Sequence, residues 1–191
     1  HAREMILRPA LAWYPKRRQE GDVTIRVLVA DDQAMIRGAL AGLLDLERDI
    51  EVVAQAADGV QALEELARLT SADAPAHASA PVDVAIIDVE MPRMDGITAT
   101  LAIHSRFPGV RVLIVTTFGR PGYLQRALDT GATGFMVKDA PVEALADGVR
   151  TVAAGGRAVD QSLALEALSA GSSPLTDREA DVLREVEGGG T

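Results

Sequence analysis

Asp31, Asp32, Asp88, Thr116 and Lys138 each stand at the end of a short apolar run rich in branched residues, or just after it. Three carboxylates, a hydroxyl and an ammonium so placed could share one sheet edge. Two carboxylates about 4 Å apart repel by roughly 4 kcal/mol at an effective dielectric of 20. Three together must protonate or recruit a cation. Magnesium suits such a set, because it accepts one or two carboxylates, keeps several waters and bridges to phosphate oxygens. Asp88 would then be an ionised nucleophile able to attack phosphorus. Lys138 and the cation would neutralise the oxygens of the transferred group, and Thr116 would donate a hydrogen bond to one of them. Phosphoryl transfer needs little more than this positioning and electrostatic support. Two plainer readings stand beside it: an aspartate at a strand end often caps the next helix, and a lysine there is often a surface charge. Lys138 is, however, the only lysine after Lys16 in a chain that otherwise uses arginine. That choice points to a need for a compact point charge.

These residues need strands to hold them, and the chain alternates between two periodicities. Ile25-Arg26-Val27-Leu28-Val29-Ala30 reads as a strand, and Met35, Ile36, Ala39, Leu40, Leu43 and Leu44 recur at helical spacing. A second strand follows over 50–54 and a second helix over 60–69. The run over 82–87, which ends at Asp88, is too short for a typical helix and reads as a buried parallel strand. Helices are expected over 97–106 and 123–129, and strands over 110–115 and 134–137. Asp139 is positioned to cap a fifth helix, with Pro141 in its first turn and Gly155-Gly156 closing it. Five strands alternating with five helices predict an α/β fold, a doubly wound parallel sheet. In the order 2-1-3-4-5, the first and third strands meet at the switch point where such sheets bind ligands. Those two strands end in Asp31-Asp32 and Asp88.

The 191 residues are 48% hydrophobic and 25% charged, which suits one domain plus a smaller piece. The absence of cysteine excludes disulfides and thiolate chemistry. His1, His77 and His104 are too scattered for a metal site. A net charge of −9 argues against nucleic-acid binding by these residues alone. No run is long enough to span a membrane, and no signal-peptide pattern is present, so a cytoplasmic protein is expected. Residues 1–22 hold five of the 19 basic residues and three of the 28 acidic ones. They read as an extension or cloning remnant, with a regulatory or membrane-touching basic arm as the alternative. Residues 71–81, SADAPAHASAP, read as a surface loop.

VLVADD, VAIIDVEMPRMDG, LIVTTF and GATGFMVKD, in this order and spacing, resemble the receiver domains of two-component response regulators. The resemblance covers residues 25–154 and implies a flavodoxin-like receiver over 23–156. It implies that Asp88 is the phospho-acceptor and that Asp31 and Asp32 are the acidic pair. The family's magnesium site would use the Asp32 and Asp88 carboxylates and the backbone carbonyl of Glu90, with Asp31 in support. Thr116 and Phe135 match the family's switch pair, and Lys138 matches its essential lysine. A cognate sensor histidine kinase is implied as partner, with homodimerisation on phosphorylation. The 71–81 loop is longer than the family's usual one.

After a linker over 157–174, PLTDREADVL resembles the opening of the LuxR-type helix-turn-helix of NarL-like regulators. Thr176-Asp177-Arg178-Glu179 forms its capping box. Residues 175–191 would hold only the first helix of that module. Transcription control is therefore expected of the full-length protein, and no sequence-specific DNA binding of this chain. Within the family, TTFGRPGYLQRAL resembles the DesR subgroup of lipid-desaturation regulators. The resemblance implies a signalling protein and not an enzyme. One rival is a magnesium-dependent phosphohydrolase of the haloacid dehalogenase type, whose nucleophile lies after the first strand and whose acidic pair comes last, the reverse of the order here. The other is a receiver-like interaction module that never takes phosphate, against which the intact Asp32, Asp88, Thr116 and Lys138 set argues.

Overall fold

The computed structural model describes residues 24–70, 82–117 and 123–160. The expectations for residues 1–22, the 71–81 loop, most of the linker and the 175–191 helix lie outside these. Eleven elements alternate along the described chain. They are β1 (Ile25–Ala30), α1 (Ala34–Leu44), β2 (Ile50–Ala56), α2 (Gly59–Thr70), β3 (Val84–Ile87), α3 (Gly96–Arg106), β4 (Arg111–Thr116), α4 (Tyr123–Asp129), β5 (Gly134–Val137), α5 (Val142–Ala153) and β6 (Ala158–Val159). The strands form one parallel sheet in the order β2-β1-β3-β4-β5-β6.

The central strands are apolar throughout because helices cover both sheet faces. Leu28, Ala30, Ala85, Ile87, Val112 and Ile114 point to one face and join Leu66 of α2, Ile103 of α3 and Ala127 of α4. Their alternate neighbours, Val27, Val29, Val84, Ile86, Leu113 and Val115, point to the other and meet Leu44 of α1 and Val149 and Val152 of α5. A one-residue slip would exchange the two sets, so the strand register is closely specified. Between β1 and β2 the pairing skips from Val27↔Val52 to Leu28↔Ala54. The extra residue, Val53, forms a bulge that brings Ala56 level with Ala30 at the strand ends.

The structure departs from the sequence reading in three places. A sixth strand, β6, pairs with β5 past the expected receiver boundary at Gly156, and Asp160 N–H donates to the Phe135 carbonyl at 3.0 Å. Asp139 does not cap α5; Pro141 takes the N-cap position, where no side chain closes the turn. A proline lacks an N–H and sets φ for the residue it occupies, so it can open a helix without a cap hydrogen bond. The apolar periodicity of α1 is helical, but only Ala41 and Leu44 are buried. Met35 is 85% exposed and Leu43 38%, because α1 turns a second apolar strip outward.

Candidate functional site

Asp31, Asp88 and Lys138 are each fixed by a backbone hydrogen bond that continues the sheet ladder. Asp31 N–H donates to the Ala56 carbonyl at 3.0 Å, Asp88 N–H to Ala30 at 2.9 Å, and Lys138 N–H to Thr116 at 2.8 Å. The two buried carboxylates and the ammonium therefore start from backbone positions set by five neighbouring strands. Asp95, not Asp88, caps the following helix: its side chain accepts from Thr98 N–H at 2.8 Å. Asp88 is thereby released from the capping role.

At the centre, Lys138 Nζ lies 2.6 Å from Asp31 Oδ2 and 2.9 Å from Asp88 Oδ2. All three side chains are at most 6% exposed. The other Asp31 oxygen accepts from Gln33 N–H at 2.9 Å, so Asp31 is committed on both sides. Asp32 is exposed at the mouth of the site. Carboxylate oxygens of Asp31, Asp32 and Asp88 lie within 4.8 Å of one another. A cleft of about 180 Å³ opens here, lined by Asp32, Gln33, Asp88, Glu90, Thr116 and Thr117. Gln33 and Thr117 were not singled out in the sequence. Their neighbours in chain, Asp32 and Thr116, were the signal that could have found them.

Burial pushes the Asp88 carboxyl above its ordinary range, opposed by the Lys138 ammonium and reinforced by Asp31. Burial alone would lower the Lys138 ammonium, but its contacts with Asp31 and Asp88 outweigh that and hold it above the usual lysine value. Three carboxylates face one ammonium, and the donors are all oxygen. This chemistry fits a hard divalent cation that keeps part of its water shell.

Phe135 does not line the cleft. It pairs with Ile114 across β4 and β5, fully buried in the core on the face that Ala127 of α4 covers. Thr116 continues that same face, two residues past Ile114. The two expected switch residues thus lie diagonally on one sheet face, with the hydroxyl at the cleft and the ring beneath.

Gly96 explains the spacing that ends the loop after β3. A Cβ there would lie 2.0 Å from the Asp88 carbonyl oxygen and 2.8 Å from its carbon. Only glycine lets α3 start against the backbone of Asp88. Gly96→Ala is expected to destabilise the chain by about 3 kcal/mol or more, since neither backbone can yield without moving its element. Urea unfolding measures this, and a loss below about 1 kcal/mol would show that the loop relaxes freely.

Comparison with known proteins gives a consistent set of relatives. A family model described as the response regulator receiver domain matches residues 27–150. The transcriptional regulatory protein DesR of Bacillus subtilis (strain 168) is 39% identical over 165 residues, which cover 86% of this chain and 76% of that protein. Among solved structures, the response regulator ChrA of a heme-sensing two-component system superposes with a TM-score of 0.60 at 33% identity, covering 88% of this chain and 78% of that one. The signal receiver domain of a NarL response regulator from Mycobacterium tuberculosis gives the same TM-score and identity over 69% of this chain and 98% of its own.

Proposed function

This chain belongs to the response regulator receiver family, among NarL/LuxR-type regulators, and on that premise we propose that it accepts a phosphoryl group on Asp88 in a magnesium-dependent reaction. One observation carries the reading: the buried Lys138 ammonium bridges Asp31 and Asp88 beside a cleft that Asp32 and Thr116 also line. Asp88 has one oxygen held 2.9 Å from Lys138, and its carboxylate lines the open cleft. A carboxylate oxygen attacks the phosphorus of a phosphohistidine on the partner kinase, or of a small acyl phosphate. A phosphorus–oxygen bond to Asp88 forms, the bond to the donor breaks, and the electron pair leaves with the donor. Lys138 stabilises charge on the phosphoryl oxygens, and the Thr116 hydroxyl donates to one of them. A magnesium ion would be held by Asp32, Asp88 and the Glu90 backbone carbonyl, and it supplies charge neutralisation on the same oxygens. Intact-mass measurement after incubation with acetyl phosphate tests the reading. One added phosphoryl group, dependent on magnesium, is the expected result; none, or uptake indifferent to magnesium, would overturn it.

Phosphorylation is read out on a surface. A hydrogen bond from Thr116 to the new phosphoryl oxygen biases the face it shares with Phe135 and α4, and so a two-state output surface built from α4, β5 and α5. The partner is a second copy, and α1 and α5 are the elements proposed to meet it as a symmetric pair. The support lies in α1. Met35 and Leu43, with Leu46 just past the helix end at 72% exposed, form an apolar strip outward of the core. A Cβ at Gly38 or Gly42 would meet nothing within 4 Å, so the strip is low and accessible between its large side chains. Light scattering of the beryllofluoride-bound chain is expected to show the dimer mass at concentrations where the untreated chain stays monomeric. Leu43→Asp should weaken that dimer at least tenfold, the effect of burying an unpaired charge in a contact. An unchanged dimer in this variant would place the contact elsewhere. DNA control belongs to the full-length regulator in this reading, which also takes the protein to be cytoplasmic.

A further inference from the structure

The loop between β3 and α3 carries Glu90, and it is tied at its middle to a second loop by a contact that no sequence motif announces. Arg93 has a φ of 61°, the only positive φ at a non-glycine among the described residues. Its guanidinium reaches across to Asp58, with Nε donating to Oδ2 at 2.8 Å and a second nitrogen donating to the same oxygen. Asp58 is 4% exposed. Its other oxygen caps α2, accepting from Gln61 N–H at 3.0 Å, and Gln61 Oε1 in turn accepts from Ala57 N–H at 2.7 Å. The backbones are joined as well, since Gly59 N–H donates to the Met94 carbonyl at 3.1 Å. A Cβ on Gly59 would lie 2.8 Å from Met94 atoms and 2.9 Å from Ala99 Cβ, so the two loops touch without a gap.

A left-handed arginine is retained only where its surroundings over-determine it. Here the surroundings are a buried carboxylate and a capped helix end. At its two ends the loop is closed by Gly96 N–H donating to the Val89 carbonyl at 2.9 Å. Residues 90–94 between these ends have their cross-loop anchors at Arg93 and Met94. Glu90, which lines the cleft with Asp88 and Asp32, belongs to this anchored loop.

We infer that Asp58 and Arg93 are positioning residues: their ion pair latches the β2–α2 loop to the β3–α3 loop and holds the Glu90 backbone carbonyl where a divalent cation on Asp32 and Asp88 can use it. The inference rests on the magnesium-dependent reading of the site. Neither residue touches the cation or the phosphoryl group. Both act through the loop.

Two variants separate the latch from general packing. Asp58→Asn keeps an oxygen for the α2 cap but loses the charge that holds Arg93. Arg93→Gly loses the guanidinium but accepts a φ of 61° freely. The full chain is titrated with magnesium ion alone, followed by isothermal calorimetry, and unfolding midpoints are recorded in parallel. Each variant is expected to bind magnesium about tenfold more weakly than the wild type, the size of effect seen when a group supporting a metal ligand is removed. The Arg93 side chain is 57% exposed, so water replaces it at Asp58 when it is removed, and Arg93→Gly should weaken magnesium binding with its unfolding midpoint close to wild type, a split that a purely structural role would not give. The double variant should be no weaker than either single one, because both remove the same contact. Wild-type magnesium affinity in Arg93→Gly, or losses that add in the double variant, would overturn the latch. Absence of magnesium binding in the wild type would instead overturn the reading of the site on which the latch rests. If Asp58→Asn does not fold, Arg93→Gly decides alone.

Discussion

Asp88→Asn is expected to take up no phosphoryl group from acetyl phosphate, at any magnesium concentration, while folding at least as well as the wild type. The two halves of this result have one cause. Burial raises the Asp88 carboxyl, which means that the fold holds its ionised form at a cost. An amide of the same shape carries no charge to desolvate and no repulsion from Asp31, so the pocket tolerates it. The amide nitrogen, however, has no lone pair free to attack phosphorus, and its oxygen is a far weaker nucleophile than a carboxylate. Lys138 keeps Asp31 as a partner at 2.6 Å, so the ammonium is not orphaned. Intact-mass spectrometry and a thermal melt read both halves. Uptake at the wild-type level would show that Asp88 is not the acceptor, and a collapsed melt would show that its charge stabilises the fold.

Lys138→Met should give the second large effect, on stability and on chemistry together. Removing one partner of a buried ion pair costs about 3 kcal/mol or more, because the remaining charge is left uncompensated. Here two carboxylates are left, Asp31 and Asp88, both nearly inaccessible to water. The pH dependence has a definite sign. Asp88 already titrates above an unfolded carboxylate, and without the ammonium the main influence lowering it is gone. A carboxyl raised in the folded state binds protons there that the unfolded chain does not, so stability falls as pH rises between the two values. The deficit should therefore be largest at neutral pH and shrink as pH falls through the raised value towards about 4, where unfolded carboxylates titrate. In the wild type the lysine's own contribution is favourable, and it too falls as pH rises, but in a higher window. It is fully present below about 10.4 and is lost only as pH rises through the folded value above that. Phosphoryl uptake by Lys138→Met should slow on the order of 10²-fold, the effect of removing one preorganised charge. Urea unfolding at several pH values checks the first claim. A pH-independent deficit would mean that lost packing, not bared charge, is its source.

The strand ends were legible because buried parallel strands leave an unusual trace: runs of branched apolar residues that stop abruptly at a polar one. Asp31, Asp32, Asp88, Thr116 and Lys138 each mark such a stop, and the rule for switch points brings the first three together from sequence alone. Strand β6 was not legible, since Ala158 and Val159 carry no period and pair only because β5 offers a free edge. The cap of α5 was misassigned because Asp139 has the right chemistry, while Pro141 has the right backbone. The outward strip of α1 was also hidden. Periodicity reports that Met35 and Leu43 share a helix with Leu44, and only the packing shows which of them faces the sheet. The Asp58–Arg93 pair joins residues 35 positions apart in two loops, where sequence carries no periodic signal at all.

The lightness of α4 sets the scale of energy that the site must supply. Only Ala127 of this seven-residue helix is fully buried, with Tyr123 and Leu124 resting partly covered on the core. By contrast, α3 and α5 bury five residues each. Apolar burial is worth about 0.8 kcal/mol per methylene, so tilting α4 away from the sheet exposes little, whereas displacing α3 or α5 would undo much of a core. Converting a population from one part in a hundred to ninety-nine takes about 5.5 kcal/mol of differential binding. A hydrogen bond to a charged oxygen supplies about 1.5–3 kcal/mol. One hydroxyl at Thr116 cannot overturn a strongly biased equilibrium, but it can tip a helix whose two resting places are nearly equal in energy. On the proposed function, the cheapness of moving α4 would let a single covalent event at the C-terminal ends of the strands be read as a change in shape.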